Sequence, residues 1–403
     1  MTEEAYLLLT SYVVNAVWQV AALAVAAWLI ARWVKPAGPE LQHKIWVVTL
    51  ILATLAPATP AIRSYLAHRV STGPASASDS AAAAQPPVSR VPLTESDLIL
   101  RPAALRLIGG AYMMVLLFCI LRLCRTLQRT RALVHNADAA AFEPDYEELW
   151  YGSKERFSIK SAVLRRSPNV SGPVTAGLGR PVLLLPADFL ENHSQTEFLA
   201  AIAHECAHIQ RDDFRKNALY EIVALFTVFH PATWLIKSQI AQTREMICDG
   251  MAAEKLADRR AYARLLVQLA GKMPARAAAV SPAMGMFDAG ILEKRVMAIT
   301  ASLPRFGRIQ RRLWGATAIS LLAICAGGAG LMTRTVAAQT PSPSAAAPDL
   351  ACSYYHDGVE YAGTCAYGKK GEPKYVCYMT SDSTKRQMQS ACEWKLRRAD
   401  EAK

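Results

Sequence analysis

Residues 5 to 31 contain no charged side chain, and no basic segment precedes them. That run is too long for the apolar core of a signal peptide and lacks its basic leader, so it is expected to stay in the chain as a spanning helix. No two cysteines are spaced C-x-x-C, which argues against a metal site built from cysteines. No internal repeat is evident. The excess of 45 Lys and Arg over 33 Asp and Glu, a net charge of +12, lacks the helix-turn-helix or aromatic context of a nucleic-acid surface.

What is present is apolar. Hydrophobic residues make up 52% of the chain beside 19% charged ones, a combination that suggests apolar spans separated by charged segments. Four stretches meet or approach the length of about 20 apolar residues that a bilayer requires. They are residues 5 to 31, 45 to 62, 107 to 121 and 313 to 332. The middle two suffice if flanking Lys and Arg side chains reach back to the interface.

The cations give an orientation. Arg32, Lys35 and Lys44 lie between the first two spans, Arg122, Arg125, Arg129 and Arg131 follow the third, and Arg305, Arg308, Arg311 and Arg312 precede the fourth. Positive segments stay inside, so 124 to 310 is expected in the cytoplasm, and the loop 63 to 106 and everything beyond 333 outside. Residues 1 to 123 then form a membrane region with three spans, and 124 to 310 is long enough for a domain. Within it, the apolar run 218 to 236 is expected to lie along or dip into the membrane.

Cysteine usage fits this topology. Cys119, Cys124, Cys206, Cys248 and Cys325 fall in spans or in the cytoplasmic segment, where free thiols behave as small hydrophobes. Cys352, Cys365, Cys377 and Cys392 are grouped near the end, beyond an Ala, Ser and Pro-rich tether at 337 to 348. On an oxidising side they read as two disulfides stapling a small module at 349 to 403, with the pairing open.

The chemistry lies at His204-Glu205-Cys206-Ala207-His208. Ser194-Gln195-Thr196-Glu197 is a capping box, so a helix is expected to start near residue 195. On that helix His204 and His208 are one turn apart and can reach one zinc ion, with Glu205 beside them as general base. A catalytic zinc site usually has three protein ligands. Asp212, Asp213, Glu221, Glu245, Asp249 and Glu254 are the downstream acids. Asp212 and Asp213 follow the histidines too closely to fold back easily, and Glu221 opens the apolar run. Glu245 is left as ligand, with Asp249 one turn on as acceptor for a ligand histidine's other N-H. A solvated helix carboxylate at Glu245 and a ligating His230 remain the alternatives at this point.

These residues resemble the BlaR/MecR-type membrane metallopeptidases, the sensor-transducers of beta-lactam resistance. The likeness is carried by the H-E-x-x-H helix, Arg244-Glu245-x-x-Cys248-Asp249, Gly172 to Gly177, Pro181 to Pro186 and Ile291 to Val296, and spans roughly residues 1 to 335. Together with the apolar runs and the grouped cysteines, the resemblance leads to a multi-pass α-helical membrane protein with about four spanning helices and an inserted α+β zincin-type metalloprotease domain, the cysteines alone giving the small disulfide-stapled C-terminal module.

By the same resemblance His204, His208 and Glu245 bind zinc, Glu205 is catalytic, and Val182, Leu183, Leu184 and Leu185 form an edge strand that pairs with substrate, an ordinary buried strand bracketed by Pro181 and Pro186 being the alternative reading of those residues. Self-cleavage is then expected at Met284 to Asp288. A cytoplasmic winged-helix repressor is the expected protein substrate, the bacterial inner membrane the location, and a homodimer is compatible. No direct nucleic-acid contact is implied. The residues after 333 carry no Ser-x-x-Lys motif, so no penicillin-binding sensor is expected there. Constitutive quality-control proteolysis and a non-catalytic receptor or scaffold are the competing functions.

Overall fold

The computed structural model describes residues 3–59, 98–138, 142–256, 258–272, 289–300, 307–332, 336–338, 350–356, 359–367, 375–380 and 387–391. Met284 to Asp288, Cys392, and most of the 63 to 106 loop and of the 337 to 348 tether lie outside these residues. The side chains of Cys352, Cys365 and Cys377 lie outside as well, and with them the expected staple. Contacts divide the chain into two units, one of residues 1–98 and 103–336 and one of 99–102 and 337–403.

In the first unit four helices are long and apolar enough to cross a membrane: α1 (Glu3–Trp33), α2 (Pro39–Leu55, continuing as a 3-10 turn to Ala58), α3 (Pro102–His135) and α11 (Arg308–Leu331). α2 and α3 outrun the apolar stretches seen in the sequence. A helix continues through charged residues as long as its backbone bonds are made, so apolar length underestimates helix length. Small buried residues, Ala16, Ala24 and Ala27 on α1 and Ala53 on α2, let the helices approach closely. Gln19 Nε2 donates to Ala329 O at 3.0 Å, and Trp33 stacks on Trp314 at 4.7 Å, joining α1 to α11. Leu107, Met114 and Phe118 of α3 stay exposed, as a lipid-facing surface would.

The apolar run 218 to 236 forms a helical hairpin among these spans. α7 (Asp213–Ala224) passes through a 3-10 turn (Leu225–Thr227) into α8 (Pro231–Lys255). Tyr112 OH donates to Phe226 O at 3.1 Å, Thr54 Oγ1 to Val223 O at 3.3 Å, and His230 Nε2 to Val17 O at 2.9 Å. Ile236 and Ile240 of α8 are buried in the core that the spans build. One end of α8 is thus embedded among spanning helices and the other enters the second core of this unit.

That second core packs helices against a three-stranded sheet. Its helices are α4 (Pro144–Arg156), the single turn α5 (Phe189–Asn192), α6 (Gln195–Arg211), α9 (Arg259–Lys272) and α10 (Ala289–Thr300). The strands are β1 (Val163–Ser167), β2 (Val174–Ala176) and β3 (Val182–Pro186), in the order β1-β3-β2. β1 runs parallel to β3, and β2 antiparallel to it.

This order overturns the expectation of a free edge at Val182, Leu183, Leu184 and Leu185. Both edges of that strand are already hydrogen-bonded, and each of these side chains is buried. A strand apolar at every position buries both faces, which is the signature of a central strand. Among the described residues the outer strand beside α6 is β2, paired only to β3.

The second unit contains an antiparallel meander of four strands, β4 (Leu350–His356), β5 (Val359–Tyr367), β6 (Tyr375–Thr380) and β7 (Gln387–Ala391). Its register sets Cys365 directly opposite Cys377, and Cys352 opposite Gly363.

Candidate metal centre

α6 begins as its sequence dictates. Ser194 Oγ accepts from Glu197 N at 3.3 Å, and Ser194 N donates to Glu197 Oε2 at 2.8 Å, a complete capping box. Glu197 is further held by Lys272 Nζ at 2.7 Å, which ties α9 to the start of α6. Burial works against the Glu197 carboxylate, but the bonds from Lys272 and Ser194 outweigh it and hold its pKa down at about 2.

One turn into the buried part of this helix, His204 and His208 project together. Their Nε2 atoms are 3.2 Å apart, and Glu245 Oε2, from α8, lies 3.3 Å from the first and 3.7 Å from the second. Ligand atoms about 2.0–2.2 Å from a tetrahedral zinc ion sit roughly 3.3–3.5 Å from one another. The triangle, with sides of 3.2, 3.3 and 3.7 Å, is close in size to one face of a zinc coordination shell, its Glu245 to His208 side being slightly long.

The hydrogen bonds on the far side of the rings settle which nitrogens face inward. His204 Nδ1 lies 3.0 Å from Asp249 Oδ1, and His208 Nδ1 lies 2.9 Å from Asp213 Oδ2. A carboxylate accepts only, so the protons are assigned to Nδ1 and both Nε2 atoms present lone pairs. Two lone pairs pointed at each other at 3.2 Å repel unless a cation lies between them. Glu245 Oε2 is buried without a hydrogen-bond partner and turned toward the same point. The donor set fits zinc.

Each of the three side chains is backed by an arginine, the two imidazoles through an aspartate. Arg295 Nε is 2.6 Å from Asp249 Oδ2, Arg211 Nε is 3.0 Å from Asp213 Oδ2, and Arg244 Nη2 is 3.1 Å from Glu245 Oε1. Burial disfavours the Glu245 carboxylate, yet the neighbouring His208 and His204 and the Arg244 guanidinium hold its pKa well below the usual range. Asp249 is likewise opposed by burial and held down, to about 2, chiefly by Arg295.

Glu205 is set apart from these. Burial pushes its pKa above the usual carboxylate value, against the opposing influence of the neighbouring His208 and His204 and a bond from Thr175. Thr175 Oγ1 donates to Glu205 Oε2, while Oε1 is buried without a partner. A carboxylate with one free oxygen and a raised pKa is suited to take and return a proton.

The other candidates fall elsewhere. His230 caps α8, its Nδ1 accepting from Ala232 N at 3.1 Å and its Nε2 spent on Val17 O. Glu221 pairs with Lys237 at 2.7 Å, Asp212 with Arg215 at 3.5 Å, and Glu254 is exposed. Cys248 lies on the Nδ1 side of His208, its Sγ 3.4 Å from that nitrogen and donating to Asp213 Oδ2 at 3.3 Å, away from the face where the Nε2 atoms meet Glu245; burial pushes its thiol up to about 11.

Residues 11–299, more than half of the chain, match the family model described as BlaR1 peptidase M56. The chain belongs to that family. Among curated proteins it is 22% identical over 223 residues to the methicillin resistance mecR1 protein of Staphylococcus aureus, covering 52% of this chain and 37% of that one. The mecR1 protein of Staphylococcus epidermidis gives the same figures. The regulatory protein BlaR1 of Bacillus licheniformis is 28% identical over 115 residues, covering 28% of this chain and 19% of that one. This family member thus spans little more than a third of the length of the mecR1 proteins it matches.

Sequence reasoning missed Asp213, Thr175, Tyr262 and Arg295. In sequence Asp213 follows the histidines too closely to be expected to fold back. Asp212, however, adopts the left-handed conformation (φ 58°), ends α6, and turns the chain so that Asp213 meets His208. A short polar side chain tolerates that conformation, and this was the available signal.

Proposed function

We propose that the chain is a membrane-embedded zinc metalloendopeptidase that acts in transmembrane signalling, with zinc on His204, His208 and Glu245 and Glu205 as general base. The observation that carries this is the convergence of three lone-pair atoms on one buried point, with a carboxylate of raised pKa beside them. Zinc bound there supplies Lewis acidity, which lowers the pKa of water toward neutrality and polarises a peptide carbonyl. Glu205 takes the proton from the attacking water and delivers it to the leaving amine nitrogen. Asp249 and Asp213 keep the imidazoles in the ligating tautomer. Burial of the site keeps bulk water from competing.

An extended substrate segment pairs with the outer edge of β2, which lies beside α6, in the role the Leu-rich strand cannot fill. The arginine clusters favour a cytoplasmic catalytic domain. The likeness to BlaR1 and mecR1 proteins favours a repressor substrate together with self-cleavage near Met284 to Asp288.

The test is fragmentation of the full chain in membranes, wild type against Glu205→Gln. Self-cleavage in the wild type, absent in the variant while both carry zinc, supports the reading; equal fragmentation of both sinks it.

A further inference from the structure

α10 contributes no ligand to the metal centre, yet its Arg295 reaches the middle of it. The side chain is 1% exposed. A buried guanidinium costs several kcal/mol of lost hydration unless its charge and donors are met. Here they are met by Asp249, with Nε 2.6 Å from Oδ2 and Nη2 2.7 Å from Oδ1. Asp249 Oδ1 also receives Tyr262 OH at 2.9 Å and His204 Nδ1 at 3.0 Å. The carboxylate is therefore held in one orientation from three elements, α6, α9 and α10.

We propose that Arg295 is a positioning residue for the metal centre. It fixes Asp249, Asp249 fixes the ring of His204, and zinc affinity thereby depends on a helix that holds no ligand. Remove the guanidinium and Asp249 is an uncompensated buried charge. The carboxylate has then lost the two bonds that fix its orientation and is free to turn, and the His204 N-H that directs Nε2 inward loses its fixed acceptor. Losing such an outer partner typically weakens metal binding about 10–100-fold. Lysine restores the charge but not the two-pronged geometry.

The inference rests on the zinc reading above, so its test separates the two. Zinc affinity is measured by chelator competition on the full chain in detergent for wild type, Arg295→Met, Arg295→Lys, Asp249→Asn and the double variant Asp249→Asn with Arg295→Met. The unfolding temperature of each metal-free protein is recorded alongside. Arg295→Met and Asp249→Asn are each expected to weaken zinc about 10–100-fold, with Arg295→Lys between them and wild type. The double variant is expected to be no weaker than Asp249→Asn alone, because the arginine acts through the aspartate.

Wild-type affinity in Arg295→Met, or a double variant showing the product of the two single losses, overturns the proposal while leaving the zinc reading intact. A wild-type chain that binds no zinc overturns the reading itself. If Arg295→Met does not fold, Arg295→Lys decides: weaker zinc at an unchanged metal-free unfolding temperature supports the proposal, and unchanged affinity overturns it.

Discussion

Thr175 Oγ1 lies 2.7 Å from Glu205 Oε2, so the outer strand of the sheet touches the base on the helix directly. The contact has a sign. Burial raises the Glu205 pKa and the Thr175 bond lowers it. Thr175→Val therefore raises it further, and because the base must be ionised to act, the acid limb of the rate profile moves to higher pH. Loss of one hydrogen bond, about 1 kcal/mol, is about fivefold in activity on that limb. Peptidase rates against pH check this; an unmoved limb shows that Thr175 does not tune the base.

Glu197 gives a pH effect that does not involve metal. Its carboxyl is near 4.5 when unperturbed and about 2 in the fold. A depressed carboxyl contributes stability that is present above the unfolded value and lost as pH falls through the folded one. Glu197→Gln is thus expected to be less stable than wild type at pH 6, with the gap closing between about pH 4.5 and 2. Ser194→Ala, which removes the cap, is expected to cost about 1 kcal/mol. Denaturant titration of the detergent-solubilised chain across that range reads both.

His230 separates a structural histidine from a ligand. His230→Leu removes the cap of α8 and the bond to Val17 O. A loss of about 1–2 kcal/mol of stability is expected, with the zinc content unchanged. Zinc lost from an otherwise folded variant places His230 in the metal shell and displaces Glu245.

What could be read in the sequence was local. Ser194 and Glu197 announce the start of α6 because a capping box is a contact over three residues, and the spacing of His204 and His208 is set by one helical turn. The apolar runs announced the four spans, though their lengths fell short where Lys44, Arg106 and Arg122 continue the helices. The remainder is long-range. Arg295 meets Asp249 across 46 residues and Thr175 meets Glu205 across 30, and no periodicity records such pairs. Val182 to Leu185 allows two readings in sequence, a substrate-pairing edge or a buried strand, and the structure takes the second. A strand's apolar pattern tells how many of its faces are buried, and four consecutive apolar residues indicate two, which leaves little room for an open edge.

The central claim is that one metal ion is held by two imidazoles of α6 and one carboxylate of α8. Metal analysis of the purified full chain, wild type beside Glu245→Ala, tests it most directly. The account predicts close to one zinc per wild-type chain and a large loss in the variant at an equal folded fraction. A wild-type chain free of zinc after purification with zinc present, or a variant that keeps its full complement, would contradict it.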